Sequence, residues 1–300
     1  LAGRLSEIAA AYYQHPSENV ISIGVTGTNG KTSCTQLYQQ LTNLLGETCG
    51  VIGTLGSGVD GRLNDTVNTT PDALSIQNTL ANWRDQKIKR AALEVSSHGL
   101  DQGRVTSVKF EGGLFTNLSQ DHLDYHGSMR AYGEAKAKMF KFAGMKFAVI
   151  NIDDDFGSAL VENLPASLEV IKYSGVDDGK RRAAADVWVD HVVFERDGVR
   201  AFVHSPWGDI QIHSHLLGAY NLSNLVAVIA CMGIQGFSIK DLASVITNLV
   251  TVPGRMESVS STADINVVVD YAHTPDALKK ALQACRSHSK GNIWCVFGCG

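Results

Sequence analysis

One stretch, residues 20–34, VISIGVTGTNGKTSC, limits what this chain can fold into more than any other. Its first six residues are a short apolar run and read as a buried strand. A glycine-rich turn follows. Lys31 and Thr32 then open a segment with Leu37, Leu41, Leu44 and Leu45 at helical spacing. Strand, glycine turn and helix in that order predict a parallel α/β sheet, and they are the setting of a phosphate-binding loop. The spacing departs from the usual G-x-x-x-x-G-K-[ST], because Val25 stands where the first glycine belongs and the glycines are Gly24, Gly27 and Gly30. The chemistry survives the shift. A helix N-terminus offers free N–H groups and partial positive charge. Gly27 and Gly30 let backbone approach phosphate oxygens. Lys31 would reach the outer phosphates, and Thr32 would hold Mg²⁺. The plain alternative is a glycine turn that merely starts a helix.

Downstream, strands and helices alternate. Strands are predicted over 48–54, 90–95, 110–116 and 146–151, with helices over 31–45, 73–86 and 129–142. After Pro165 the pattern changes to period-two alternation with turn signals at Asp197-Gly198 and Trp207-Gly208, which predicts an antiparallel meander. Helices over 220–232 and 239–249 follow. A second α/β unit begins near Pro253, with a strand, a loop, a helix and a further strand in NIWCVFG. The fold expected is therefore α/β. It has a central P-loop-type, mostly parallel sheet flanked by helices, a small antiparallel subsheet, and then the start of a Rossmann-like α/β domain. The chain begins inside a helix-like segment and stops at a glycine turn, which suggests further sequence on both sides.

Composition excludes several classes. A net charge of −4 over 300 residues argues against a general nucleic-acid binder. No apolar run approaches the ~20 residues of a membrane span, and the N-terminus lacks a signal-peptide layout. Six scattered cysteines read as reduced thiols of a cytoplasmic protein. Cys295 and Cys299 stand as C-x-x-x-C, but without a second pair they make a poor metal site.

Three further stretches carry polar groups that a core would not use. In ALEVSSHGLDQGR, Glu94 closes an apolar strand where nucleotide folds place a magnesium-binding carboxylate; a strand-end carboxylate facing water is the alternative. Ser96, Ser97 and His98 lack the G-x-S-x-G of a nucleophile elbow. In LFTNLSQDHLDYHG, Asp121, His122, Asp124 and His126 are dense enough for a metal site, or form a polar loop. Lys136 lies on the next helix, where a lysine normally faces solvent. In VNTTPD, Asn68, Thr69 and Thr70 could cap a helix ahead of Pro71.

GVTGTNGKT, LEVSSHGL, TNLSQDHLDYHG, GAYNLSN, PGRME and VVDYAHTPDAL stand in one order, and together they resemble the Mur ligase family. The resemblance covers nearly the whole chain. It implies an enzyme that joins an amino acid to a peptide carboxylate with ATP, through an acyl phosphate. By position it implies that Gly27, Thr28, Asn29, Gly30, Lys31 and Thr32 bind the ATP phosphates, with Asn221, Asn224, Arg255, Asp270 and His273 near the nucleotide. It implies Mg²⁺ at two sites, held by Thr32, Glu94, His122 and a carbamylated Lys136, and Lys31, Glu94, His122 and Lys136 as the catalytic set. Asn68, Thr69, Thr70, Ser96, Gln102 and Arg104 match contacts to UDP-MurNAc-L-Ala-D-Glu, to which meso-diaminopimelate, or alternatively L-lysine, is added. It divides the chain into the end of an N-terminal UDP-binding domain (1–17), a central ATP-binding domain (18–253) and the beginning of a C-terminal amino-acid-binding domain (254–300). A cytoplasmic monomer that binds neither nucleic acid nor membrane is expected, and this stretch alone is expected to be inactive. A folylpolyglutamate-synthetase-like ligase is the nearest rival, although its D-G-A-H-N-P differs from residues 270–275, DYAHTP. A metal-dependent hydrolase using His98, His122 and His126 would leave the Lys31-Thr32 loop unexplained.

Overall fold

The computed structural model describes residues 4–261 and 265–298. Its strands in chain order are β1 (Ile21–Thr26), β2 (Cys49–Gly53), β3 (Gly56–Val59), β4 (Arg62–Asn64), β5 (Arg90–Glu94), β6 (Phe110–Phe115), β7 (Phe147–Asn151), β8 (Glu169–Ser174), β9 (Val187–Glu195), β10 (Gly198–His204) and β11 (Ile210–Ser214). They form one sheet in the order β11-β10-β9-β8-β7-β6-β1-β5-β2-β3-β4. The centre, from β8 across to β2, is parallel. β1 sits between β5 and β6, with Val25 opposite Glu94 on one side and Leu114 on the other. Chain order reverses direction across β1, which creates a crevice at the carboxyl ends of the strands.

The expected meander is β9-β10-β11, and it is not a separate layer. β9 pairs parallel with β8, so the antiparallel wing continues the main sheet. A second antiparallel wing, β2-β3-β4, closes the other side. Short strands at both ends limit the exposed sheet edge. A hairpin of β12 (Glu257–Ser261) and β13 (Asn266–Val269) begins the second unit.

Helices cover both faces. They are α1 (Leu5–Tyr12), α2 (Lys31–Leu44), α3 (Ala73–Asp85), α4 (Ser97–Asp101), α5 (Leu123–His126), α6 (Met129–Ala137), α7 (Asp155–Val161), α8 (Gly179–Arg182), α9 (Ala219–Ile234), α10 (Ile239–Val245) and α11 (Pro275–His288). Strand alternation puts Ile23 and Val25 of β1 on one face of the sheet. Ile23 and Val25 pack with Leu37, Leu41, Leu225 and Ile229 from α2 and α9. On the other face, Phe110, Met139, Phe140, Ile76 and Leu80 form a second core under α3 and the turn that follows α6. α9 is apolar nearly all round because it is buried nearly all round. No described helix is long and apolar enough to cross a membrane.

Three local expectations are corrected. The cap of α3 is Asp72, which accepts from Ser75 N at 3.0 Å, so the Asn68–Thr70 stretch is not a helix cap. Helix α6 gives way to a 3-10 turn over Lys138–Lys141. NIWCVFG forms no strand: Trp294, Val296 and Phe297 are exposed, and no described strand pairs with them. A buried parallel strand needs neighbours for its ladder and for its faces. The five described cysteines are free, with Cys34, Cys49 and Cys231 buried, Cys285 half-buried and Cys295 exposed; Cys299 lies outside the described residues.

Candidate functional site

The loop at the end of β1 begins at Gly27. Val25 is buried in the sheet, where its carbonyl accepts from Val95 N at 2.8 Å. Gly27 has φ +147°, and a Cβ there would stand 1.9 Å from Thr116 Oγ1. Gly30 has φ +88°, and its Cβ would meet Asn224 Oδ1 at 2.5 Å. Both positions therefore require glycine, for backbone conformation and for space. Gly30 is also the residue that caps α2, so no side chain serves the first-turn N–H groups there. Thr116 and Asn117 hold the loop from the side. Thr116 Oγ1 donates to Asn29 O at 2.6 Å, and Asn117 both accepts from Asn29 N (3.0 Å) and donates to Asn29 O (3.1 Å). The shifted spacing is thus a shorter loop braced by β6.

Glu94 ends β5 beside this loop and is 2% exposed. Its Oε2 accepts from Thr32 Oγ1 at 3.0 Å, and Oε1 accepts from Thr54 N at 2.8 Å. Burial pushes its carboxyl pKa up, against the opposing pull of Lys31 and of the hydrogen bonds from Thr54 and Thr32. The Glu94 carbonyl accepts from Thr70 Oγ1 at 2.7 Å, and Thr70 Oγ1 accepts from Ser96 N at 2.9 Å. Thr54 Oγ1 lies 3.0 Å from Thr69 Oγ1. One residue thus joins the glycine loop to the 68–70 segment. A hydroxyl and a carboxylate side by side are oxygen donors of the kind a hard divalent cation takes.

Lys31 folds back and donates to Gly27 O at 2.9 Å and to Thr28 O at 2.8 Å. Lys136 donates to the same Gly27 carbonyl at 2.8 Å. Lys136 is only 1% exposed, so it is not the solvated surface lysine its helix position suggested. Burial, and then the charge of Lys31, hold its pKa well below that of an ordinary lysine. Lys31 is lowered too, mainly by burial. The ring of Tyr132 lies under the Lys136 ammonium at 4.3 Å, and its hydroxyl is 3.2 Å from Thr28 Oγ1. His122 and His126 stand at 6.0 and 5.1 Å from the same ring.

Beyond the loop opens a cavity of about 410 Å³, between the strand ends, α9, the segment after Pro253, and α11. Of the predicted nucleotide set, Asn29, Gly30, Thr32, Asn224, Arg255, Asp270 and His273 line it. Asn221 supports from behind: its amide donates to Leu217 O at 2.9 Å, and its Oδ1 accepts from Asn224 at 3.5 Å. Arg255 reaches in from the second unit, with Nη2 at 3.4 Å from Thr32 Oγ1. Gly27, Thr28 and Lys31 form the loop floor rather than the cavity wall.

The 68–70 segment lies on the Thr54 side of Glu94. Asn68 is exposed, Thr69 half-buried and Thr70 buried. Arg104 donates to Thr70 O at 2.6 Å and twice to Gln102 Oε1, at 3.0 and 2.6 Å. Ser96 Oγ accepts from Gly99 N and so caps α4. The dense acid–imidazole segment does not close into a cluster. Asp121 pairs with His122 at 3.4 Å, His126 Nε2 stands 2.9 Å from Ser97 Oγ, and Asp124 joins neither contact. Among the described residues no group of three or more His, Cys, Asp or Glu is arranged to hold a metal. Sequence reasoning gave no role to Thr54, Thr116, Asn117 or Tyr132. Tyr132 was findable, since it stands four residues before Lys136 on one helix face.

A glycine loop and helix N-terminus at the switch point of a parallel sheet, with a buried carboxylate on the next strand, define a class: α/β proteins built around an anion-binding loop. Within that class the chain belongs to the Mur ligase family. The Mur ligase middle domain matches residues 25–232, and the Mur ligase glutamate ligase domain matches residues 254–300. Over all 300 residues it is 47% identical to the UDP-N-acetylmuramoyl-L-alanyl-D-glutamate–2,6-diaminopimelate ligase of Ectopseudomonas mendocina, covering 60% of that protein. Identity to the Pseudomonas aeruginosa ligase of the same name is 46%, with the same coverage. A solved structure of a ligase of this name superimposes with a TM-score of 0.84 at 36% identity, over 99% of this chain and 61% of that one. Folylpolyglutamate synthase of Mycobacterium tuberculosis, complexed with ADP, shares the fold at 18% identity and a TM-score of 0.76, over 94% and 68% of the two chains. The chain therefore spans about 60% of the length of the curated relatives it matches.

Proposed function

We propose that this chain is the central part of an ATP-dependent ligase that adds meso-diaminopimelate to UDP-MurNAc-L-Ala-D-Glu in the cytoplasm, in the assembly of peptidoglycan precursors. The observation that carries the reading is the meeting of Thr32 and Glu94 at 3.0 Å, beneath a helix N-terminus and beside two converging lysines. Both relatives are named as diaminopimelate ligases, which favours diaminopimelate over lysine.

In this reading the loop and the first turn of α2 bind the ATP phosphates, and Lys31 swings from the Gly27 carbonyl toward the outer phosphates. Thr32, Glu94, His122 and a carbamylated Lys136 would hold Mg²⁺, which neutralises phosphate charge during transfer. The carbamate forms when the Lys136 amine adds to CO₂ and loses a proton. A buried lysine held well below its usual pKa has the free amine that this addition needs. Arg255 places a second cation at the phosphate end. Asn68, Thr69, Thr70 and Arg104 position the nucleotide-sugar peptide, whose carboxylate attacks the γ-phosphate and releases ADP. The incoming amine then displaces phosphate from the acyl phosphate. No protein nucleophile is required, so the work is positioning and charge stabilisation. Residues 18–253 would form the ATP-binding domain, and 254–300 would begin the amino-acid-binding one.

An ADP-release assay on the full-length protein tests the reading. With UDP-MurNAc-L-Ala-D-Glu present, meso-diaminopimelate should stimulate release strongly and L-lysine weakly. No stimulation by either would end the proposal. In the same assay Lys136→Ala should be inactive and partly rescued by a small carboxylate; full activity without rescue would remove the carbamate.

A further inference from the structure

Tyr220 stands in the first turn of α9 and lines the cavity. Its hydroxyl donates to Asp270 Oδ2 at 3.2 Å. Burial and the nearby Asp270 charge push the Tyr220 pKa up, which keeps the hydroxyl a donor. Asp270 has other partners as well. Oδ2 also accepts from Met256 N at 2.9 Å, and Oδ1 accepts from Ala272 N at 2.9 Å. Gly254 O accepts from Tyr271 N at 2.8 Å, so the 254–256 turn and the loop after β13 are laced together. The turn is sharp, with φ +66° at Gly254 and +51° at Met256. A left-handed methionine persists only where its surroundings fix it. Arg255 projects between these two residues, over the Tyr271 ring at 4.9 Å and toward Thr32.

We propose that Tyr220 is a positioning residue: its hydroxyl fastens the Asp270-laced turn to α9 and so aims Arg255 at the phosphate end of the cavity. The motifs single out Asn221 and Asn224 on this helix and pass over Tyr220. They also place Asp270 near the nucleotide, whereas its carboxylate oxygens are engaged by Tyr220, Met256 and Ala272. The inference rests on the nucleotide reading of the cavity. It differs from that reading in assigning the tyrosine a mechanical task rather than a ligand contact.

A double-mutant cycle on the full-length protein tests it, with affinity for a non-hydrolysable ATP analogue measured by calorimetry. Tyr220→Phe keeps the ring and its packing and removes only the donor. It should weaken the analogue about tenfold, because the turn that carries Arg255 is then fixed less firmly before the ligand arrives, and it should lower the thermal midpoint by only a few degrees, since Asp270 Oδ2 keeps its bond from Met256 N. In an Arg255→Met background, Tyr220→Phe should cost less than about twofold, because the group it aims is gone. Two results would overturn the inference: unchanged affinity in Tyr220→Phe, or an equal loss with and without Arg255. Analogue binding needs no turnover, so failure of the ligase assay leaves this cycle readable. A wild-type protein that does not bind the analogue would instead defeat the nucleotide reading itself.

Discussion

The two ends of the central sheet are built on opposite principles. At the amino ends of the strands, polar groups find partners. Arg90 pairs with Glu47 at 2.6 Å and donates to Tyr38 Oη at 3.4 Å. Tyr38 donates to Gln235 Oε1, Gln235 donates to Glu111 Oε2, and Lys146 donates to Glu111 Oε1, at 2.8, 2.8 and 2.9 Å. At the carboxyl ends, Lys31 and Lys136 crowd one backbone carbonyl, and Arg255 joins them on Thr32, around the buried carboxylate of Glu94. Glycines and a left-handed His122 shape the loops there. The first end closes its own hydrogen bonds and holds the sheet together. The second gathers cation that an anion could neutralise, and strain of that kind gathers where a site is being prepared.

The sharpest way to break this contrast is Lys31→Met. If the proposed ligase reaction holds, loss of one charged stabiliser should cut ADP release by the full-length protein roughly 10²–10³-fold. The thermal midpoint should hold or rise, since a partly desolvated ammonium is removed. A large fall in midpoint would show that this end is structural after all. The complementary test is Tyr38→Phe at the other end. It should cost about 1 kcal/mol in chemical denaturation, with nucleotide affinity unchanged. A change in affinity would mean that the two ends are coupled.

The smallest expected effect concerns acid stability, and it has opposite signs at the two ends. Burial raises the Glu111 pKa, but its bonds to Gln235 and Lys146 outweigh that and leave it below the usual 4.5. Its contribution is therefore present above pH 4.5 and is lost as pH falls through the lower folded value. Glu94 is displaced the other way by burial. The folded state then holds the proton more tightly, so its contribution declines as pH rises from 4.5 through the raised folded value. Denaturation followed from pH 3 to 7 should show Glu111→Gln flattening the acid limb and Glu94→Gln removing a penalty on the neutral side. The same direction of change in both variants would erase the distinction.

The amino end was nearly invisible in the sequence, because its network joins residues far apart in the chain, such as Tyr38 with Gln235 and Gln235 with Glu111. The carboxyl end was far more legible. Its residues are concentrated in short runs at strand ends, so GTNGKT and Glu94 stand out, whereas the DHLDYH segment, equally dense in the sequence, does not close into a cluster. Periodicity located β1, β2, β5, β6 and β7 but missed the parallel β8, and it missed the short β3 (GSGV) and β4 (RLN), which carry little apolar signal. It also predicted a strand in NIWCVFG, since an apolar run says nothing about whether a partner strand lies beside it. Helix position alone would leave Lys136 in solvent, and only the family resemblance pointed to a site role for it. What buries it is the approach of α6 to the glycine loop, and that is a tertiary fact.

Glu94 touches Thr32 and Thr54 with its side chain and Thr70 with its backbone, and Thr54 touches Thr69. Two loops of separate sequence origin therefore hang from a single joint. Anything that moves the joint moves both, so under the proposed function genetic variation at Glu94 should not sort into one class impaired toward the nucleotide and another impaired toward the acceptor. Drift in either loop must be matched by the other, and suppressors of a defect in one should be sought in the other.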